Sequence, residues 1–233
     1  NPEHAEDEAQ PKFKFLARGV GRLLVWELPQ EDELYVIGCD PSGGKNDYAV
    51  ASVGKLDVAS GRIEQVALFR AVVEPEFFAY VLRDLGEWYN SGMLVIERNN
   101  DGRTTIRVVK EWYHNLYYEI KVDKFVDDEM ETIGYNANRA SKADMINGLA
   151  FWLAASKVVV RSEDTLNELA VYEIKENQTT SAPAGEHDDC VIALGLMVLG
   201  ARDLIGTESA AEDTPLYMNE YGGLEADGEA YYV

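Results

Sequence analysis

Cysteine is scarce in this chain: Cys39 and Cys190 are the only two in 233 residues. Their spacing matches no metal-binding pattern, and two thiols are no framework for a disulfide-built secreted protein. Both are expected to be reduced and intracellular. Long apolar runs are missing too; none approaches the roughly eighteen residues of a membrane span. The opening NPEHAEDEAQ is acidic and polar, without the basic and then apolar order of a signal peptide. Positive charge is in short supply, with 21 Lys and Arg against 42 Asp and Glu and a net charge of −21. From Asp203 to Val233 there are eight acids and no base, and residues 34–202 carry −9 (26 acids, 17 bases). Nucleic-acid binding normally needs clustered Lys and Arg against phosphate. A DNA contact here would have to come from a local basic patch, or from metal ions that offset the acids.

What is present is globular: 46% apolar and 10% aromatic residues, in a chain long enough for one full core with appendages. Residues 1–21 are expected to be a linker, disordered over 1–12, and residues 22–204 one domain. The Gly-, Ala- and acid-rich stretch 205–233 is expected to be a mostly flexible tail.

The domain is organised around YVIGCDPSGGKNDYAVASV, residues 35–53. Tyr35–Cys39 and Tyr48–Val53 are apolar runs of strand length, joined by a turn rich in Gly, Asn and Asp. The first run delivers Asp40. A carboxylate at the end of a buried strand needs a cation, backbone N–H groups or a metal; alternatively it only caps the turn. RLLVWEL before it, ending at Pro29, and Arg62–Val72 after it complete a meander with a hairpin turn near Gly61.

A helix follows from Pro75, with Phe78, Val81, Leu82, Leu85, Trp88 and Tyr89 on one face and Asn90-Ser91-Gly92 as its stop. MLVIE is a short central strand that delivers a second carboxylate, Glu97. The next helix is expected over 104–117, with Ile106, Val109, Tyr113 and Leu116 buried. Arg103, Arg107 and Lys110 share its other face, either as a solvated stripe or as a DNA contact. A strand over 118–125 and an acidic loop over 127–131 come next. Ser141 is expected to cap a helix with Met145, Ile146, Leu149, Trp152 and Leu153 inward. Arg139 and Lys142 stand at its mouth, where a phosphate could approach. A short strand near 157–160 and a helix capped by Ser162 follow. The last long helix, from about His187, is apolar nearly all round and opens with Asp188 and Asp189. Acids suit a helix N-terminus, but that alone does not explain two of them entering a buried helix.

Four acids from three elements would repel if they were brought together without cations. Two hard divalent ions roughly 3.5–4 Å apart would hold them and activate water for in-line attack on a phosphodiester. This layout, an α/β mixed sheet with an antiparallel three-strand meander plus parallel strands flanked by helices, resembles the ribonuclease H-like fold. More narrowly, LLVWELP, YVIGCDPSGGKNDYAV, LVIERNNDGRTTI, GYNANRASKADMINGLAFWL and EHDDCVIALGL resemble, in order over about 22–200, the nuclease domain of tailed-bacteriophage large terminase subunits. The first, second and last blocks together are fairly specific.

The resemblance implies a metal-dependent endonuclease (a hydrolase) for viral DNA packaging, cutting concatemeric double-stranded DNA. Asp40, Glu97, Asp188 and Asp189 would be catalytic metal ligands for two Mg²⁺ or Mn²⁺ ions. The expected DNA contacts are Arg103, Arg107, Lys110, Arg139 and Lys142. It also implies the terminase small subunit and the portal protein as partners, no membrane association, and a place in the host cell cytoplasm at the procapsid. The family's full-length protein carries an ATPase, but GxxxxGK[ST] is missing here, so the nuclease domain alone is expected. Other readings are a resolvase or transposase of the same fold, an actin-like ATPase built on DPSGG, and a non-catalytic assembly module. The ATPase would need a second phosphate loop and a longer chain. The full acid set speaks against the assembly module.

Overall fold

The computed structural model describes residues 13–16, 21–45, 47–123, 128–174, 180–183 and 185–212, with 217–218, 224–226 and 229–231. The chain forms two units, Asn1–Ala201 and Arg202–Val233.

The first unit is built on a seven-stranded sheet. Strand β3 (Leu34–Asp40) and β4 (Ala49–Asp57) pair antiparallel from Leu34↔Leu56 to Asp40↔Val50, and β5 (Arg62–Ala71) pairs antiparallel with β4. Strand β2 (Gly21–Val25) lies on β5, and β1 (Phe13–Leu16) lies on β2. The expected linker therefore contains a strand over 13–16, while its residues 1–12 are outside the described ones. On the other side of β3, strand β6 (Met93–Ile96) runs parallel to it, giving the order β1-β2-β5-β4-β3-β6. The short β9 (Val158–Val159) is parallel to the start of β5. The antiparallel meander plus parallel strands is the ribonuclease H-like arrangement expected from the sequence.

Strand β3 is buried on both faces from Tyr35 to Cys39, as its unbroken apolar run requires. One face packs against helices α1 (Pro75–Trp88) and α2 (Gly102–Val109) through Phe78, Leu82, Leu85, Ile106 and Val109. Each such fully buried side chain contributes about 1.5–3 kcal/mol. Trp88, expected inward, is 39% exposed, while the adjacent Tyr89 is buried and its hydroxyl donates to Glu27 O at 3.0 Å. On the opposite face, Leu24, Trp26, Val50 and Leu68 meet Cys190 and Ala193 at the start of helix α5 (Asp189–Glu212). Close approach sets the residue at Gly38: a Cβ there would lie 2.0 Å from Ala193 O and 2.4 Å from Met197 N. The missing side chain of Gly38 thus lets α5 sit directly on the strand that ends in Asp40. In the turn after Asp40, Gly44 takes φ +71°, a conformation that glycine tolerates.

Helix α2 stops at Val109, well short of the expected 117. Tyr113 and Leu116 are buried as predicted, but in a connecting segment: the Tyr113 hydroxyl donates to Gly92 O at 2.5 Å, and Leu116 bridges Leu94. Strand β7 (Tyr118–Asp123) forms an antiparallel hairpin with β8 (Asp128–Ile133). The second strand replaces the expected acidic loop over 127–131; it pairs with Tyr118-Glu119-Ile120-Lys121-Val122, whose alternation has the period of a strand. Residue 127 lies outside the described ones.

Helix α3 (Arg139–Ala154) is capped by Asn138, three residues before the expected Ser141. Asn138 Oδ1 accepts from Ala140 N and Ser141 N, and Ser141 Oγ accepts from Asn138 N. This is a closed capping box, so the N–H groups of Asn138, Ala140 and Ser141 are already taken. Helix α4 (Glu163–Val171) is capped by Ser162, as expected. The strands β10 (Glu173–Ile174) and β11 (Thr180–Ser181) form a small antiparallel pair. In the expected tail, helix α5 continues to Glu212. Beyond it, β12 (Tyr217–Met218), β13 (Leu224–Ala226) and β14 (Glu229–Tyr231) form a three-stranded antiparallel sheet. Among the described residues no helix is long and apolar enough to cross a membrane. Cys39 and Cys190 are buried free thiols.

Candidate metal centre

The parallel register of β3 and β6 places two carboxylates side by side. Cys39 pairs with Ile96, and Glu97 N donates to Cys39 O at 3.0 Å, so Asp40 and Glu97 leave adjacent strand ends together. Both are half-buried. Burial, then the negative fields of Glu97, Asp189 and Asp188, push the Asp40 carboxyl well above its usual range; Lys142 opposes them. Burial also raises Glu97, against Lys142 and the amide of Asn99. That amide donates to Glu97 Oε1 at 3.1 Å and to Ala137 O at 2.8 Å, tying Glu97 to the loop that caps α3.

The third element is the start of α5. Asp188 immediately precedes it, and its carbonyl accepts from Ile192 N at 2.9 Å, the first bond of the helix. The Asp188 carboxylate stands 3.2 Å from the ammonium of Lys142, which reaches across from α3. Burial alone would lower the Lys142 pKa, but Asp188, Tyr172 and Glu97 together raise it. The Asp189 side chain is deeper, 14% exposed against 28% for Asp188. Its Oδ2 is buried without a hydrogen-bond partner, 3.4 Å from His187 Nδ1. Burial, then Glu168, raise its pKa to about 6.

Asp40, Glu97, Asp188 and Asp189 thus lie at one end of the sheet, Lys142 facing the first three and His187 facing Asp189. Among the described residues no three Asp, Glu, His or Cys side chains stand close enough to hold a metal ion as they are placed. The donor set nevertheless fits a hard divalent cation. It is oxygen only. Asp189 Oδ2 has no hydrogen-bond partner, and the Lys142 ammonium supplies part of the positive charge that a cation would bring.

The remaining predicted cations stand apart from this cluster. Arg103, Arg107, Lys110 and Arg139 are exposed, and none is a leading charged neighbour of Asp40, Glu97 or Asp189. Arg107 is 4.0 Å from Glu76. Two further residues, Asn99 and Glu168, touch the cluster with no signal in their local sequence. A 540 Å³ cleft lined by Leu34, Lys55, Arg62 and Val159 opens at the other end of the sheet and contains none of the four acids.

Fold and site together define a ribonuclease H-like domain with a carboxylate cluster at the ends of two parallel strands and the start of a helix. Its counterparts of known structure are large terminase nucleases from thermophilic phages. The phage G20c enzyme with bound cobalt has a TM-score of 0.60 at 23% identity, over 82% of this chain and 93% of that one. The same enzyme with bound magnesium has a TM-score of 0.61 at 22% identity over the same shares. The Thermus phage P74-26 large terminase nuclease domain has a TM-score of 0.55 at 22% identity, over 82% of this chain and 90% of that one. No protein-family model and no curated protein matches the chain. At these identities the likeness is one of fold.

Proposed function

We propose that this domain is the metal-dependent DNA endonuclease of a phage packaging terminase. The observation that supports the reading is that β3 and β6 deliver Asp40 and Glu97 side by side, where the negative fields of Asp189 and Asp188 at the start of α5 reach Asp40 and Lys142 opposes them. Such a cluster lowers the stability of the metal-free protein and so calls for a use. The phage G20c nuclease, with the same fold, was solved with cobalt, magnesium and zinc.

Asp40, Glu97 and Asp189 would hold two Mg²⁺ or Mn²⁺ ions, with Asp188 at their edge. The ions would activate water and neutralise charge during in-line phosphodiester hydrolysis. Asn99 keeps the Glu97 carboxylate turned toward the cluster. Lys142 and Arg139, with Arg103, Arg107 and Lys110 on α2, would meet the phosphates of double-stranded DNA. The net −9 of residues 34–202 makes that binding weak and tolerant of sequence. Concatemeric DNA as substrate, a terminase small subunit and a portal protein as partners, and the host cytoplasm as location belong to the same reading.

The test is cleavage of a supercoiled plasmid with Mg²⁺, with Mn²⁺ and with EDTA. Nicking and linearisation with either ion and none with EDTA supports the reading; equal cleavage with EDTA, or none with any ion, contradicts it.

A further inference from the structure

Glu168 is a carboxylate that the proposed chemistry does not use, yet it is only 7% exposed. It projects from α4, and its Oε2 accepts from Cys190 N at 2.7 Å and from Val191 N at 3.4 Å. Its other oxygen faces Arg70 Nη2 at 3.6 Å, and that guanidinium lies 3.5 Å over the Tyr48 ring. Cys190 and Val191 are the second and third residues of the helix that Asp188 opens. These are the N–H groups that a side chain at the opening position normally takes for itself, and Asp is among the best residues at doing so. Here the donors are already satisfied from another helix, and the Asp188 carboxylate turns to Lys142 instead.

We infer that Glu168 is a positioning residue: by capping α5 from α4 it keeps Asp188 from folding back onto its own helix and leaves that carboxylate in the acid cluster. The inference rests on the nuclease reading for its consequence, though the cap itself is independent of it. Removing Glu168 frees the Cys190 and Val191 amides, and Asp188 becomes their nearest substitute cap. Its carboxylate then leaves Lys142. Glu168→Gln keeps an acceptor oxygen at the same place and should keep the arrangement.

The experiment has two arms. Hydrogen exchange at the Cys190 and Val191 amides, read by NMR on the metal-free protein, tests the cap. Protection should survive Asp188→Ala and Glu168→Gln, survive Glu168→Ala because Asp188 takes over, and be lost in the Glu168→Ala/Asp188→Ala double variant. Loss of protection in Asp188→Ala alone would overturn the inference, as would full protection in the double variant. In the second arm, Mn²⁺-dependent plasmid cleavage by Glu168→Ala should fall by about 10–100-fold. The Mn²⁺ concentration for half-maximal rate should rise, with both effects largely rescued in Glu168→Gln. Wild-type rate and Mn²⁺ dependence in Glu168→Ala would overturn it. Should the wild-type protein fail to cleave, the nuclease reading fails, and the exchange arm still decides the cap.

Discussion

The two ends of the β3–β4 ladder handle charge in opposite ways. At the Leu34–Leu56 end the half-buried acids Glu27 and Glu64 each have their own cation: Lys55 pairs with Glu27, and Arg161 pairs with Glu64 across the start of β5. The cleft there is lined by both signs. Some 20 Å along the same strands, at the Asp40–Val50 end, Asp40, Glu97 and Asp188 share Lys142, and Asp189 faces His187. An acidic chain can be neutralised locally, as the first end shows. The second end is therefore not the consequence of a surplus of acids. Asp40, Glu97 and Asp189 are pushed above their usual pKa range by burial and by neighbouring carboxylates, an arrangement that destabilises the fold until a cation arrives.

The largest expected effect breaks the second end. Asp40→Asn should abolish metal-dependent cleavage and leave metal-free stability equal or higher, because it removes a charge from a repulsive set. A plasmid assay and a thermal melt in EDTA read both; wild-type cleavage, or loss of a cooperative melt, contradicts the assignment. Next comes the helix-borne pair. Asp189, deeper and without a hydrogen-bond partner at Oδ2, is expected to be the closer ligand. Asp189→Asn should cost orders of magnitude in rate and Asp188→Asn less. Equal losses would mean a shared role, and a larger loss at Asp188 would reverse the order.

A smaller effect tests whether DNA is met by the exposed stripe of α2. Charge reversal at Arg103 and Arg107 should lower cleavage and flatten its salt dependence; an unchanged salt slope would make the stripe a solvated face. Metal-free stability should also carry a pH signature. Asp189 titrates near its usual 3.8 when unfolded and at about 6 when folded. Between those values the folded state holds more protons, so the stabilisation is present below about pH 4 and is lost as pH rises through about 6. The loss is about 1.4 kcal/mol for each pKa unit separating the two states. Urea melts in EDTA across that range should show the slope in wild type and a shallower one in Asp189→Asn; equal slopes would contradict it. The smallest effect is at the paired end. Lys55→Met should change stability by about 1 kcal/mol or less and leave cleavage untouched; a large loss of cleavage there would erase the contrast between the ends.

Asp40 and Glu97 could be read from the chain because each ends an apolar run of strand length, a local pattern. The acids before α5 were visible for the same reason: they interrupt a helix otherwise apolar all round. What stayed hidden depends on partners distant in sequence. Lys142 reads as a cation at a helix mouth, yet its nearest carboxylate is on α5, 46 residues on. Glu168 sits in EDTLNELAV as an unremarkable polar position, because the amides it caps lie 22 and 23 residues further along. The second strand of the hairpin β7–β8 was masked by its acid content, which suggested a loop; what makes it a strand is pairing with the alternating β7. Helix α2 looked longer than it is because Tyr113 and Leu116 continue its apolar spacing while being buried by other means.

The central claim is that divalent ions go to the unpaired end of the sheet and not to the paired one. A crystal soaked in Mn²⁺, measured for anomalous scattering, tests this directly. The account predicts density among Asp40, Glu97 and Asp189, with Lys142 drawn away from Asp188, and none in the cleft by Lys55. No density at the acids, or density at the cleft instead, would contradict it.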